Sequence, residues 1–148
     1  MRRSVLVIGM LVLGAAAAMA QEDLVKQDQA VMKANAKNLG AMVAMVKGEK
    51  PYDQATVDAS LAVLQNTAKK LPTMFPDSIK GQNPDGDYHS SPKVWEDKAG
   101  FAAHIASFTK VVSDAKGKIR DLETLKAITP GIGKECGGCH ETYRLKNS

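Results

Sequence analysis

Two cysteines and a histidine near the end of this 148-residue chain have a spacing that suits joint chemistry. Cys139 and His140 lie three and four positions after Cys136, and residues with this spacing share one face of a helix. Two thiols on that face can reach the two vinyl groups at one porphyrin edge, while the imidazole of His140 ligates the iron. Gly137 and Gly138 add no bulk between them. Because Cys-x-x-Cys-His is typical of c-type haem attachment, the sequence predicts one covalently bound haem c.

Three other interpretations of the cysteine pair are weaker. A thioredoxin-like pair would begin a helix after a strand, whereas this motif nearly ends a chain with a helical pattern. A zinc site needs a fourth ligand, and the remaining histidines, His89 and His104, are distant in sequence. A simple disulfide would leave His140 without a role. Since the chain has only these two cysteines, they cannot form a disulfide framework.

Four segments repeat apolar residues every three or four positions and predict amphipathic helices. They cover residues 22–47, 53–71, 91–115 and about 121–143. Residues 73–91 show no periodicity and are rich in Pro, Gly, Asn and Asp, which predicts a long loop. Apolar residues do not alternate in short runs bounded by turns, which argues against strands. Short outer connections and a longer middle one favour a single all-α domain, an antiparallel four-helix bundle.

Particular residue types predict where these helices begin and where one is interrupted. Asp53 is the expected N-cap of the second helix. The third helix is predicted to begin at Ser91, with Pro92 in the first turn, where proline is tolerated. Pro130 lies inside the fourth helix and cannot donate to the carbonyl of Lys126. We therefore expect a kink or a break near Pro130.

The first twenty residues have the features of a secretory signal peptide. Arg2 and Arg3 precede an uncharged run over residues 5–17 and a small-x-small end at residues 18–20. The run is shorter than the roughly 18 to 20 apolar residues that span a membrane. We expect cleavage after residue 20, which would release residues 21–148 into the periplasm without a membrane anchor. Cleavage would lower the formal charge from +4 to +2, which does not favour nucleic-acid binding.

The C-terminal segment Cys136-Gly-Gly-Cys139-His140-Glu-Thr-Tyr143-Arg144 resembles the class II cytochromes c, the family that contains cytochrome c′. Residues 46–53 are similar to the connection between the first two helices of that family. The resemblance covers essentially all of residues 21–148. It implies a four-helix bundle with covalently bound haem near one end.

The resemblance also suggests the second axial ligand of the iron. Typical cytochromes c′ leave the sixth position empty and cover it with an apolar residue of the first helix, whereas low-spin members place a methionine there. Counting back from the end of the first helix, this position falls on Met32. Met42, Met45 and Met74 are other candidates, and Met32 as an ordinary core residue is the alternative.

Two further positions concern the haem propionates. Arg144 follows His140 by one helical turn, as a basic residue does in the family. It is a candidate to pair with a propionate or to screen His140, or it is only a favourable cation at the helix C-terminus. Asp28 stands where cytochromes c′ commonly have arginine, so we expect no propionate contact there. His89 and His104 are expected to be surface or loop residues.

Together these features favour an electron carrier over an enzyme. The resemblance implies a low-spin haem with His140 and Met32 as axial ligands, which exchanges single electrons with redox partner proteins. The alternative is a five-coordinate, high-spin cytochrome c′ that binds nitric oxide or carbon monoxide. No paired carboxylates, nucleophile with a base, or phosphate loop indicates catalysis. The family often forms homodimers, but no decisive apolar patch indicates one here.

Overall fold

In the computed structural model, the backbone is described for residues 4–83 and 85–147, and side chains are described from residue 21 onwards. The helices are α1 (Ser4–Val46), α2 (Gln54–Lys70), α3 (Lys93–Glu96), α4 (Lys98–Ala115) and α5 (Leu122–Tyr143). The strands are β1 (Tyr88–Ser90) and β2 (Arg144–Lys146). Two short 3₁₀ turns, Leu71–Thr73 and Asp77–Ile79, follow α2.

The four long helices pack around one another as a bundle. α1 packs against α2 and α5, and α4 packs against the same two helices. Short turns join α1 to α2 and α4 to α5, so each of these pairs is antiparallel. The predicted fold class, an all-α antiparallel four-helix bundle, is confirmed.

Local side-chain chemistry explains where the helices begin and end. The carboxylate of Asp53 accepts a hydrogen bond from the backbone N–H of Thr56 at 3.0 Å, so the predicted N-cap is confirmed. Gly48 has a φ of +75°, a left-handed conformation that glycine adopts readily at the end of a helix. Its N–H donates to the carbonyl of Met45 at 3.0 Å, which closes α1.

The first helix begins earlier than expected. α1 starts at Ser4, not near residue 22, and continues without a break past residue 20. An apolar, alanine-rich run has a high helix propensity, which explains the extension. The side chains of the expected signal peptide lie outside the described part, and its cleavage stays a prediction. No helix among the described residues is long and apolar enough to cross a membrane.

The last two predicted helices differ from the structure in opposite ways. The expected third helix is divided at Asp97, whose φ of −113° and ψ of 61° interrupt it and whose side chain caps α4. Of the kink or break expected near Pro130, the break is wrong, because α5 is continuous through Pro130, and a kink there stays a prediction. Pro130 and Lys126 are both exposed, so water can hydrogen-bond to the carbonyl that proline leaves without a donor.

The connection between α2 and α3 also has more structure than predicted. β1 pairs with β2 in an antiparallel ribbon, in which His89 lies opposite Leu145 and Ser90 opposite Arg144. This ribbon corrects the expectation of an all-helical chain without strands. It joins the middle connection to the residues that directly follow α5. The connection is therefore held against the end of the helix that carries the cysteine motif.

Buried apolar side chains form two clusters. The larger cluster fills the bundle, and its fully buried members include Met42, Val57, Leu64, Leu125 and Ile132. The smaller cluster contains Ile79, Val94, Trp95 and Tyr143, with Cys139 packed against it. This second cluster supports the C-terminal end of α5, where the candidate site lies.

Candidate functional site

A cavity of about 370 Å³ lies between α1, the end of α5 and the middle connection. The α1 wall is formed by Val25, Asp28, Gln29, Met32, Lys33 and Ala36, and the α5 wall by Cys139, His140, Tyr143 and Arg144. The remaining wall comes from the connection and from α3 and α4: Leu71, Phe75, Ile79, Gln82, Gly86, Asp87, Tyr88, His89, Ser90, Val94 and Phe101. Four predicted site residues, Met32, Cys139, His140 and Arg144, therefore line one cavity.

The cysteine motif lies in the last turns of α5. The helix puts Cys136, Cys139 and His140 on adjacent turns of one side, and all three are half-buried. Cys136 packs against the main core and Cys139 against the smaller cluster. Burial raises the pKa of both thiols, so both are neutral thiols at pH 7. Cys139 and His140 line the cavity, whereas Cys136 lies outside its lining, one turn earlier on the same side of α5.

The environment of His140 favours its neutral form. Burial lowers the pKa of His140, and the positive charge of Arg144 lowers it further. A neutral imidazole keeps a lone pair that can bind a metal ion. His140 therefore has the chemical form that an axial iron ligand requires.

Met32 lines the same cavity as Cys139 and His140, from α1, and is half-buried. The other methionines with described side chains lie elsewhere. Met42 is fully buried in the main core, and the sulfur of Met45 accepts a hydrogen bond from the backbone N–H of Asp53 at 3.4 Å. Met74 packs against the same core. Among these four, Met32 is the methionine that faces the cavity.

Asp28 has an unexpected environment, one helical turn before Met32 on the same wall. Its Oδ2 atom is buried and has no hydrogen-bond partner among the described residues. Burial raises the pKa of Asp28 to about 7. A buried polar atom without a partner is costly, so this oxygen indicates that the cavity is shaped for a polar group of a ligand.

Arg144 is the first residue of β2 and not part of the helix. It is exposed, lines the cavity and lies over the ring of Tyr88, with 4.1 Å from its guanidinium carbon to the ring centroid. At this distance the cation interacts favourably with the aromatic face. The side chain is thus held at the cavity edge, where it also lowers the pKa of His140.

Two histidines occupy positions that differ from the expectation of surface or loop residues. His89 lies in β1, is half-buried and lines the cavity. His104 lies in α4, and its ring meets the ring of Tyr143 with a centroid separation of 5.6 Å. Sequence reasoning missed His89 because its position depends on pairing with a strand more than fifty residues away. No local pattern signals that pairing.

The connection is hydrogen-bonded to α1 and to α3. Nε2 of Gln29 on α1 donates to the carbonyl of Asp85 at 3.2 Å. The indole N–H of Trp95 in α3 donates to the carbonyl of Phe75 at 3.2 Å. Together with the pairing of β1 and β2, these bonds hold the connection beside the cavity.

These residues fit a haem c. The cavity combines apolar side chains such as Phe75 and Phe101 with two thiols and a neutral imidazole nearby. Met32 lines it from α1, and the orphaned oxygen of Asp28 marks a place for a polar substituent. Cys136 and Cys139 could form thioether bonds, and His140 and Met32 could ligate iron. A second cavity of about 530 Å³, between α2 and the α4–α5 turn, contains none of the predicted site residues.

A helical bundle with a cysteine pair and a histidine at the end of its last helix defines a class of haem proteins. The chain belongs to the cytochrome c′ family, because the family model described as cytochrome C′ matches residues 23–144. The predicted resemblance to the class II cytochromes c is thereby confirmed. Members of this family carry covalently attached haem c, and this protein likewise binds haem c with its iron.

Individual relatives are similar along nearly the whole chain. A cytochrome c-556 of Rhodopseudomonas palustris is 55% identical over 147 residues, which are 99% of each chain. A cytochrome c′ of the same organism is 40% identical over 143 residues, 96% of this chain and 95% of the relative. An NMR-validated structural model of oxidised R. palustris cytochrome c556 superposes with a TM-score of 0.75 at 54% identity, covering 85% of this chain and 98% of that one.

Proposed function

We propose that this protein is a periplasmic electron carrier with one low-spin haem c. In this proposal Cys136 and Cys139 hold the haem through thioether bonds, and His140 and Met32 ligate its iron. Residues 1–20 direct export and are then removed. The protein exchanges electrons with redox partner proteins and catalyses no reaction of its own.

The observation that carries the proposal is the position of Met32. Its side chain lines the cavity on the α1 wall, while His140 lines it on the α5 wall. A ligand on each wall would fill both axial positions of an iron between them. The 55% identity to a protein named cytochrome c-556 is further support.

When bound, the haem supplies a one-electron change between Fe(III) and Fe(II). The residues around the cavity would favour this electron transfer in three ways. Methionine opposite histidine favours the reduced form and raises the reduction potential. Apolar residues such as Phe75 and Phe101 exclude water from the site. Arg144, held over Tyr88 at the cavity edge, would compensate the charge of a propionate.

A second function has a specific observation in its favour. The 40% identity to a protein named cytochrome c′ is compatible with a chain in which Met32 stays off the iron. The iron would then be five-coordinate and high-spin, and its open position would bind nitric oxide or carbon monoxide. The two functions differ in the role of one side chain.

The test is a visible absorption spectrum of the holoprotein, oxidised and reduced, with carbon monoxide added to the reduced form. We expect sharp low-spin bands that carbon monoxide does not change. In Met32→Leu, the covalent haem is retained, the spectrum becomes high-spin and the reduced form binds carbon monoxide. Leucine keeps nearly the volume of methionine and removes only the sulfur donor.

The matched control is Met42→Leu, the same change at a methionine buried in the core away from the cavity. Its spectrum is expected to equal that of the unmodified protein. A high-spin spectrum that carbon monoxide shifts in the unmodified protein would support the gas-binding alternative. A low-spin spectrum that survives Met32→Leu would exclude Met32 as the ligand.

A further inference from the structure

The second cavity, of about 530 Å³, lies between the N-terminal part of α2 and the turn that joins α4 to α5. It shares no lining residue with the cavity that contains His140. α2 and α5 begin near this second cavity, whereas α5 ends at the other one, so the two cavities lie towards opposite ends of the bundle. The volume falls in the range of about 300–1,000 Å³ that is usual for small-molecule sites.

The base of the second cavity is apolar and well packed. Leu61 and Ile119 line it and are only 3% and 2% exposed, and both belong to the main core. Nε2 of Gln54 donates to the carbonyl of Ile119 at 3.1 Å, which joins the α4–α5 turn to α2. The base is therefore a preformed apolar surface against which an apolar part of a ligand can pack.

The polar side chains of the lining differ in whether their hydrogen bonds are already made. Oδ1 of Asp58 accepts from Nε2 of Gln54 at 2.9 Å. Lys116, Arg120 and Gln65 also line the cavity, but in the described part of the chain their side chains have no hydrogen bond or ion pair. Ammonium and guanidinium groups are donors only. Because its described lining offers unused donors, and two cations against one carboxylate, the cavity favours an anion.

The turn between α4 and α5 holds its two cations close to each other. Gly117, between Lys116 and Arg120, has a φ of +72°, a left-handed conformation that glycine adopts readily. A Cβ atom added at Gly117 would lie 3.9 Å from Nη2 of Arg120, so the guanidinium group lies against the turn. Both cations are exposed and form the rim above the apolar base. A guanidinium and an ammonium group together suit a carboxylate.

We propose that this second cavity binds a small organic carboxylate with a short apolar chain. The carboxylate accepts hydrogen bonds from Arg120 and Lys116, and the apolar chain packs on Leu61 and Ile119. A single negative charge fits better than a phosphate dianion, because Asp58 in the lining repels the second charge. This site does not depend on which ligand faces His140, so it is independent of the proposed electron-transfer function.

The experiment titrates hexanoate into the isotope-labelled holoprotein at physiological ionic strength, which screens unspecific attraction between charges. Amide NMR signals of Gly117 and Ile119 are expected to shift and to saturate, while the haem absorption spectrum stays unchanged. Hexanamide has the same chain without the charge and should bind at least about tenfold more weakly, because hydrogen bonds to charged groups are the stronger ones. Inorganic phosphate lacks the apolar chain and should also bind more weakly than hexanoate.

Variants of the rim test the two cations. In the double variant Lys116→Gln/Arg120→Gln, the affinity for hexanoate is expected to fall by about tenfold or more. The matched control is Lys118→Gln, a lysine of the same turn that lies outside the lining, and its affinity should stay within about twofold of the unmodified protein. Absence of saturable shifts, equal affinity for hexanamide or phosphate, or an equal loss of affinity in Lys118→Gln would each overturn the proposal.

Discussion

The hydroxyl group of Tyr143 donates a hydrogen bond to Oδ2 of Asp97 at 2.8 Å. Tyr143 is buried in the last turn of α5, three residues after His140. The other oxygen of Asp97 accepts from the backbone N–H of Gly100 at 3.0 Å and caps α4. One carboxylate thus joins the start of α4 to the end of α5. The bond lowers the pKa of Asp97, and the bond to Gly100 lowers it further.

Removing the Tyr143 hydroxyl should destabilise the protein, and the loss of stability should be larger at neutral pH than in acid. Because the pKa of Asp97 is lowered in the folded state, the carboxylate stabilises the fold above its ordinary pKa of 3.8 and loses that effect as the pH falls. Tyr143→Phe removes the largest cause of the lowered pKa and keeps the helix cap. We expect a melting temperature lower by a few degrees at pH 7, with the difference shrinking towards pH 2.

Asp97→Ala serves as the comparison, because it removes both the cap and the interhelical bond. Its melting temperature should be lower than that of Tyr143→Phe. A double variant should resemble Asp97→Ala, since the tyrosine hydroxyl then has no carboxylate partner. Equal melting temperatures for Tyr143→Phe and the unmodified protein at pH 7 would show that the bond contributes nothing.

Gly100 makes the contact between Asp97 and Tyr143 possible. A Cβ atom added at Gly100 would lie 2.5 Å from the Tyr143 hydroxyl and would also collide with the Asp97 carboxylate. Gly100→Ala should therefore lower the free energy of unfolding by about 1–3 kcal/mol, the usual cost of overpacking. Chemical denaturation measures this change, which opposes the higher helix propensity of alanine.

Gly131→Ala is the matched control for Gly100→Ala. Gly131 also lies within a helix, is exposed and has no heavy atom within 4 Å of an added Cβ. There alanine should raise the free energy of unfolding by roughly 0.5–1 kcal/mol. If the two substitutions changed stability equally, crowding at Gly100 would have no energetic effect.

The features that the sequence predicted correctly depend on neighbours in the chain. Helical periodicity and the N-cap at Asp53 are local, and they led to the right fold class and the right helix order. The features that it missed depend on distant residues or on exposure. β1 forms because it pairs with residues near the other end of the domain. Pro130 does not break α5, and both Pro130 and Lys126, whose carbonyl loses its donor, are exposed residues.

The same division applies to the candidate site. Cys136, Cys139 and His140 are a contiguous motif, and Met32 follows from a count along one helix. Asp28 was expected to make no contact with a propionate, and this expectation stays a prediction. Only the packing of the connection against α1 and α5 puts Asp28 and His89 in one cavity. Local pattern therefore identifies the candidate ligands, whereas the residues around them depend on tertiary packing.

The burial of Asp28 predicts a pH dependence of stability opposite to that of Asp97. Its pKa rises from 3.8 to about 7 on folding, so between these values the folded state binds more protons than the unfolded state. The contribution of protonated Asp28 to the stability of the fold is then fully present below the ordinary pKa and is lost as the pH rises through about 7. One pKa unit corresponds to about 1.4 kcal/mol. The free energy of unfolding of Asp28→Asn, relative to that of the unmodified protein, should therefore be higher at pH 8 than at pH 4, on the order of 1–3 kcal/mol.

Urea unfolding of the holoprotein across this range measures the difference, with Asp23→Asn, an exposed site on the same helix, as the control. Parallel stability curves for Asp28→Asn and the unmodified protein would mean that Asp28 is ionised in the fold and has a partner in the holoprotein.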